Sequence, residues 1–194
     1  MNYIDTHSHL YLDEFKNDRE EIISRALGAG VSKILLPNIN KESVGSMLEM
    51  AYSYPGICYP MIGIHPTSVK EDYGKELESV KEWLSRENFI AMGEIGIDLY
   101  WEKKYLKQQS DIFKAQLELA LENKLPVVIH ARDSFREIFA LLEDYRGSEL
   151  KGVFHAFTGD TGQAEFITDL GFYIGIGGIV TFKNAGLDKV VADI

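Results

Sequence analysis

Residues 3–9 read YIDTHSH, a strand-like run that ends in two histidines separated by one serine. Side-chain direction in a strand repeats every two residues, so the imidazoles of His7 and His9 point to the same side and can share one metal ion. Asp5 has the same parity and could orient a ligand through a hydrogen bond. A polar strand end that binds no metal is the alternative interpretation of this stretch alone.

All five histidines of the chain come at the ends of strand-like runs. His65 closes CYPMIGIH, His130 follows VVI and His155 follows GVF, while a carboxylate, Glu94, stands in the similar run GEIGID. In a parallel α/β barrel, the C-terminal strand ends converge on one rim, where the active site lies. The pattern therefore indicates a metal-centred hydrolase.

Strand-like stretches alternate with amphipathic, helix-like stretches such as Glu14–Ala29 and Tyr105–Glu122. The candidate strands are Tyr3–His9, Lys33–Ile39, Cys58–His65, Phe89–Asp98, Pro126–Ala131, Lys151–Phe157 and Phe172–Phe182. This alternation implies an α/β fold with a parallel sheet, either closed or doubly wound. A doubly wound sheet binds its ligand beside one or two strands, whereas polar residues here end at least five strands, which favours a closed barrel.

The chain length predicts one domain over residues 1–194. Only seven candidate strands are found, and complete barrels run to roughly 250 residues. We therefore expect a TIM-like (β/α) barrel of the metal-dependent hydrolase type that lacks its last strand through C-terminal truncation. Such a barrel would leave open edges on its first and seventh strands.

Composition narrows the function and the location. The net charge of −10 argues against a protein that coats nucleic acid through a broad basic face, but not against an enzyme that grips a phosphate with metal ions. The single cysteine, Cys58, excludes an intramolecular disulfide and is typical of a packing residue. Without a secretory signal or an apolar stretch of about 18 residues, we expect a cytoplasmic protein with no membrane association.

Four imidazoles and one carboxylate together suit two divalent ions bridged by Glu94. The four imidazole ligands are predicted to be His7, His9, His130 and His155. Taken singly, such a histidine is more often a structural residue, so the combination carries the prediction. We expect Mg²⁺ or Mn²⁺ for activity, although imidazoles also accept Zn²⁺ or Ni²⁺.

Other polar and aromatic residues border the predicted site. Arg132 could bind a phosphate in a planar, bidentate manner; a salt bridge with Asp133 or Asp98 is the alternative. His65 is predicted to donate to the substrate phosphate rather than to act as a sixth metal ligand. The aromatic pair at positions 100–101 could stack on nucleobases or simply pack.

At these residues the chain resembles the TatD family of metal-dependent deoxyribonucleases, within the amidohydrolase-like TIM-barrel superfamily. The matching motifs are IDTHSHL (4–10), GIHP (63–66), GEIGID (93–98), PVVIHAR (126–132) and HAFTG (155–159). The motifs follow the expected order along essentially the whole chain.

The resemblance implies a phosphoesterase that acts on DNA, as an exonuclease from a 3′ end. It also implies that His7 and His9 bind one ion, that His130 and His155 bind the other, and that Glu94 bridges. The family has a further aspartate after the eighth strand, in a Glu-Thr-Asp context, which completes the first ion's shell; this sequence contains no such motif.

Two other functions stay open from the sequence. Related barrels with His-x-His on the first strand hydrolyse amides, lactones or cyclic ureas, and an acyl bond on a nucleic acid, as in an aminoacyl-tRNA, is an alternative substrate. Many of those barrels bridge their metals with a modified lysine on the fourth strand, where this chain has Glu94. The other alternative is a fragment that binds metal without turnover. No obligate protein partner is indicated, and a monomer is the default.

Overall fold

The computed structural model describes residues 2–194, in which seven strands alternate with seven α-helices. The strands are β1 (Tyr3–Asp5), β2 (Val31–Leu36), β3 (Cys58–Pro60), β4 (Met92–Asp98), β5 (Val127–Arg132), β6 (Gly152–Phe154) and β7 (Tyr173–Ile174). The helices are α1 (Arg19–Gly28), α2 (Val44–Ser53), α3 (Gly74–Leu84), α4 (Leu106–Glu122), α5 (Phe135–Leu142), α6 (Thr161–Asp169) and α7 (Leu187–Asp193).

All strand pairs are parallel, and neighbours in space are neighbours in the chain. One ladder joins β1, β2 and β3, and a second joins β4, β5, β6 and β7. A parallel bridge between Ile62 and Met92 connects the two ladders. Each crossover carries a helix, as parallel pairing requires. This order confirms the predicted α/β barrel class.

Strand β4 lies at the centre of the fold. All seven of its residues are buried, as expected for a parallel strand covered on both faces. Helix α4 packs against it through an apolar stripe that includes Ile112, Phe113 and Leu117, all fully buried. The strand therefore holds any polar side chain it carries inside the protein.

The first and last predicted strands are shorter than expected. Strand β1 ends at Asp5 instead of His9, because the Asp5 carboxylate accepts a hydrogen bond from the backbone N–H of His7 at 3.1 Å and turns the chain. The predicted strand Phe172–Phe182 is wrong beyond β7. Several glycines, which weaken strands, follow Ile174, and the chain instead forms a 3₁₀ turn at Gly178–Thr181.

The predicted helices differ in accuracy. Tyr105–Glu122 is confirmed as α4. Glu14–Ala29 is wrong in its first part, which is a 3₁₀ turn at Asp13–Phe15. Helix α1 begins at Arg19, whose guanidinium turns back to the carbonyl oxygens of residues 10–12 at 2.6–3.0 Å and fixes the entry of the chain.

In the described part of the chain, no ladder joins β1 to β7, which agrees with the expected open edges. No α-helix in residues 2–194 is long and apolar enough to cross a membrane. The assignment of residues 1–194 to a single, truncated domain stays a prediction, as does the cytoplasmic location, and Met1 lies outside the described residues.

Candidate metal centre

The side chain of Glu94 lies between two pairs of histidines. Its Oε2 atom is 3.1 Å from Nε2 of His7 and 3.8 Å from Nε2 of His9. Its Oε1 atom is 2.9 Å from Nδ1 of His130 and 3.7 Å from Nε2 of His65. These residues form two donor trios, one of His7, His9 and Glu94 and the other of His65, Glu94 and His130. Within each trio the donor atoms lie within 4.8 Å of one another. Glu94 thus offers one oxygen to each group of donors.

The protonation state of His9 follows from its hydrogen bonds. The Tyr11 hydroxyl donates its only proton to the Pro37 carbonyl at 2.6 Å. It must therefore accept from Nδ1 of His9, 3.0 Å away, so that Nδ1 carries the proton. The Nε2 lone pair then faces Glu94, which is the tautomer that a metal ligand needs.

One ring nitrogen of His7 has no hydrogen-bond partner among residues 2–194. This nitrogen, Nδ1, is buried. A buried polar atom left unpaired costs about 1–3 kcal/mol. The other nitrogen, Nε2, faces Glu94, and the imidazole and carboxylate donors gathered there fit a site for a divalent cation of intermediate hardness.

The histidines of the centre differ in their affinity for protons. Burial lowers the pKa of His65 and of His155 to about 4 and also lowers the pKa of His9. These three imidazoles are therefore neutral at pH 7, as metal ligands must be.

His130 and Glu94 behave in the opposite way. Burial opposes the charge on each, but hydrogen bonds outweigh it. Glu94 and Asp98 raise the pKa of His130, while His130 and His7 hold the pKa of Glu94 well below its ordinary value. His130 therefore holds a proton more readily than a free imidazole does, and a cation bound between the carboxylates would compete with that proton.

Asp98 is a part of the centre that sequence reasoning missed. It is 1% exposed, and its Oδ2 atom lies 2.9 Å from Nε2 of His130, opposite Glu94. Gln109 holds the Asp98 backbone in place on both sides, accepting from its N–H at 2.8 Å and donating to its carbonyl at 3.2 Å. The signal was available, since Asp98 has the same strand parity as Glu94.

Glycines around Glu94 allow close approach of neighbouring strands. A Cβ atom on Gly96 would lie 2.0 Å from the His130 carbonyl oxygen, and the φ of Gly96 is +144°. A Cβ atom on Gly93 would lie 2.7 Å from Cβ of Val128. Both positions bring β5, with His130, against β4.

The structure brings His155 and Arg132 to the edge of the centre. The His155 ring stacks on His7 with a centroid separation of 3.4 Å, and it belongs to neither donor trio. The guanidinium of Arg132 lies 3.9 Å from the centroid of the Tyr100 ring. Arg132 forms no ion pair in the described part of the chain, so the predicted alternative of a salt bridge is wrong. Both residues line a cleft of about 280 Å³ that also includes His130.

A parallel (β/α) barrel with partly buried histidine donors and buried carboxylates at its strand ends defines a metal-dependent hydrolase. The sequence model for TatD related DNase matches residues 4–194. The chain belongs to this family, and the resemblance drawn from its motifs is confirmed.

Individual relatives agree with this assignment. The chain is 34% identical over 187 residues to YabD of Bacillus subtilis, named an uncharacterized metal-dependent hydrolase, covering 96% of this chain and 73% of the relative. It is 32% identical over 180 residues to TatD of Pectobacterium parmentieri, named a 3'-5' ssDNA/RNA exonuclease, covering 93% and 69%. The crystal structure of YjjV, a TatD homologue from Escherichia coli, superposes with a TM-score of 0.91 at 32% identity, covering 99% and 74%.

Proposed function

We propose that the protein hydrolyses phosphodiester bonds of DNA, from a 3′ end, with two divalent ions as cofactors. The observation that carries this proposal is the position of Glu94, whose two oxygens face different histidine pairs. The relative named a 3'-5' ssDNA/RNA exonuclease supports the choice of bond and direction. RNA is a substrate that the same chemistry would accept.

Five residues would hold the ions: His7 and His9 the first, His130 and His155 the second, and Glu94 both. In the structure His65, and not His155, completes the second donor trio with Glu94 and His130. Mg²⁺ or Mn²⁺ is the expected working metal. When bound, such ions supply Lewis acidity at the phosphoryl oxygens and lower the pKa of water.

The hydrogen bonds of His65 make Nε2–H the group that can donate to a substrate. Its Nδ1 atom accepts from the backbone N–H of Thr67 at 3.2 Å, so the neutral ring carries its proton on Nε2. That nitrogen points toward the centre, 3.3 Å from Nδ1 of His130. His65 can therefore donate to a phosphate oxygen bound there, which supports the role expected from the sequence.

Arg132 supplies a fixed positive charge beside the same centre. Its guanidinium lies at the cleft that His130 and His155 also line. Attack on phosphorus gathers negative charge on the oxygens of the phosphoryl group, and a planar guanidinium pairs with two such oxygens at once. We assign Arg132 to binding the phosphate and stabilising this charge.

The proposal is tested by cleavage of a 3′-labelled single-stranded DNA with Mg²⁺, with EDTA, and with Glu94→Ala. Glu165→Ala, which removes an exposed carboxylate on α6, is the matched control. We expect release of the labelled 3′ nucleotide, which needs both metal and Glu94. Full activity of Glu94→Ala in a clean preparation would contradict the proposal.

A panel of acyl esters, run beside p-nitrophenyl phosphodiesters, identifies the bond. Turnover of the phosphodiesters alone supports the nuclease. Turnover of the acyl esters alone would reassign the protein to the amidohydrolase or esterase alternative. Metal binding without turnover of either substrate would indicate a metal-binding fragment.

A further inference from the structure

We propose that Trp101 is a stacking surface for the nucleobase beside the cleaved bond, and that it selects unpaired ends. This inference rests on the proposed nuclease function and names a specificity-determining residue for it. Three observations support it: the Trp101 ring is exposed, its backbone is hydrogen-bonded to Asp98 of the metal centre, and the guanidinium of Arg132 lies beside it.

The aromatic pair that follows β4 is open to solvent. Trp101 is 69% exposed and Tyr100 is 54% exposed. A tryptophan ring offers one of the largest apolar surfaces of any side chain, and covering it is favourable. An exposed ring next to a reaction centre is therefore available to a flat, apolar group of the substrate.

One carboxylate connects the aromatic turn to the metal centre. The Oδ1 atom of Asp98 accepts hydrogen bonds from the backbone N–H groups of Tyr100 at 3.0 Å and Trp101 at 3.1 Å. Its other oxygen lies 2.9 Å from Nε2 of His130. The position of the turn is thus fixed relative to a predicted ligand, as stacking beside the reacting phosphate requires.

Arg132 places a positive charge beside the exposed rings of Tyr100 and Trp101. Its guanidinium carbon lies 3.9 Å from the centroid of the Tyr100 ring and 5.5 Å from that of Trp101. Tyr100 and Trp101 meet edge to face, with centroids 4.9 Å apart and planes at 88°. The guanidinium and the two rings therefore form one compact cluster. The result is a cation and an exposed ring side by side, which complement a phosphate and its base.

Stacking on Trp101 requires a base that has left its duplex. A paired base has both faces covered by its neighbours, and opening it costs a few kcal/mol. A frayed or single-stranded end avoids that cost. The ring therefore favours unpaired ends without reading sequence, because every base has a flat π face.

Fluorescence tests the contact without relying on turnover. The chain has two tryptophans, so Trp83→Phe, on α3, leaves Trp101 as the only indole. The probe is a short oligothymidylate whose 3′ linkages are phosphorothioates, which slow cleavage, added in the presence of Mg²⁺. We expect saturable quenching in Trp83→Phe and none in Trp101→Phe. Binding without quenching in Trp83→Phe would overturn the proposal.

Kinetics then identify the base as the partner. Wild type and Trp101→Ala are compared on a normal single strand and on one whose 3′-terminal base is replaced by an abasic unit. Stacking of one base predicts that Trp101→Ala raises KM roughly fivefold to a hundredfold on the normal strand. We expect little change on the abasic strand, and near-normal KM for Trp101→Phe. An equal rise on both strands would overturn the proposal.

The two measurements separate this inference from the function on which it rests. Cleavage of DNA with no effect of Trp101→Ala would leave the nuclease standing and remove the stacking role. Quenching of Trp101 by the oligonucleotide without cleavage of any strand by wild type would support the base contact and remove the nuclease.

Discussion

The buried carboxylate of Asp98 and the partly buried imidazole of His130 form a hydrogen bond of 2.9 Å, on the side of the ring that faces away from Glu94. His130 is therefore held by a carboxylate at each nitrogen. Partners of this kind fix the orientation of a ligand and increase its basicity. We therefore infer that Asp98 positions His130 as a predicted metal ligand.

Asp98→Asn is expected to weaken binding of one ion and spare the other. The amide keeps an oxygen for the turn at Tyr100 but loses the negative charge beside His130. Loss of such a partner lowers metal affinity about 10–100-fold. Titration calorimetry with Mn²⁺ measures both sites, and Asp111→Asn, an exposed carboxylate on α4, is the control. Unchanged affinity, or equal loss at both sites, would contradict this role.

Glu94→Gln is expected to impair both ion sites, because one carboxylate serves both donor trios. His7→Ala removes a donor from the first trio alone and should impair only one site. Dialysis against Mn²⁺ followed by metal analysis gives the number of ions per chain. We expect two for wild type, fewer than one for Glu94→Gln and about one for His7→Ala. A full equivalent bound tightly by Glu94→Gln would show that the carboxylate does not bridge.

Gly96→Ala is expected to destabilise the protein by about 3 kcal/mol or more. The new Cβ atom would lie 2.0 Å from the backbone oxygen of His130, in addition to the strain of the φ of +144°. Gly147→Ala is a matched control, since that glycine has a φ of +78° with nothing within 4 Å, and should cost about 1–2 kcal/mol. Urea denaturation compares the two; equal losses would exclude the steric role of Gly96.

The metal-free protein is expected to lose stability as the pH falls from 6.5 toward 4.5. The unfolded chain has ordinary histidines of pKa 6.5, whereas burial lowers the pKa of His65 and of His155 to about 4. The unfolded state therefore binds more protons in this window, so the free energy of unfolding falls with pH, in total by an amount on the order of a few kcal/mol.

A double variant, His65→Gln with His155→Gln, tests that assignment. It should flatten the dependence between pH 6.5 and 4.5 in denaturant titrations made with EDTA. The raised pKa of His130 acts above this window, because its stabilisation is present below 6.5 and is lost as the pH rises through the folded pKa. An unchanged slope in the double variant would assign the effect to other groups.

Sequence periodicity predicted the order of strands and helices and the convergence of the strand ends, because both follow from burial patterns and from parallel topology. His7 and His9 lie side by side, as strand parity predicts, although neither residue belongs to a strand. Both residues lie beyond the end of β1, in a turn fixed by Asp5 and by the hydrogen bond of 3.0 Å from Ser8 to the Leu35 carbonyl.

Contacts that depend on side-chain direction could not be predicted. The stacking of His155 on His7 and the approach of His65 to Glu94 join residues far apart in the chain. They depend on rotamers and on the exact height of each strand end, which periodicity does not encode. Strand parity places Asp98 on the same side of β4 as Glu94, which is compatible with its hydrogen bond to His130. The same parity was equally compatible with a salt bridge between Asp98 and Arg132.

The metal centre lies across the junction between the two ladders, which backbone hydrogen bonds around Ile62 and Gly93 hold together. His7 and His9 follow a strand of one ladder, whereas Glu94 and His130 belong to the other. Any ion held by both groups ties the two halves of the wall together, and its binding energy adds to the cohesion of that junction. Metal starvation would then do more than stop turnover: it would leave a chain whose two halves separate more readily and are cut sooner by proteases.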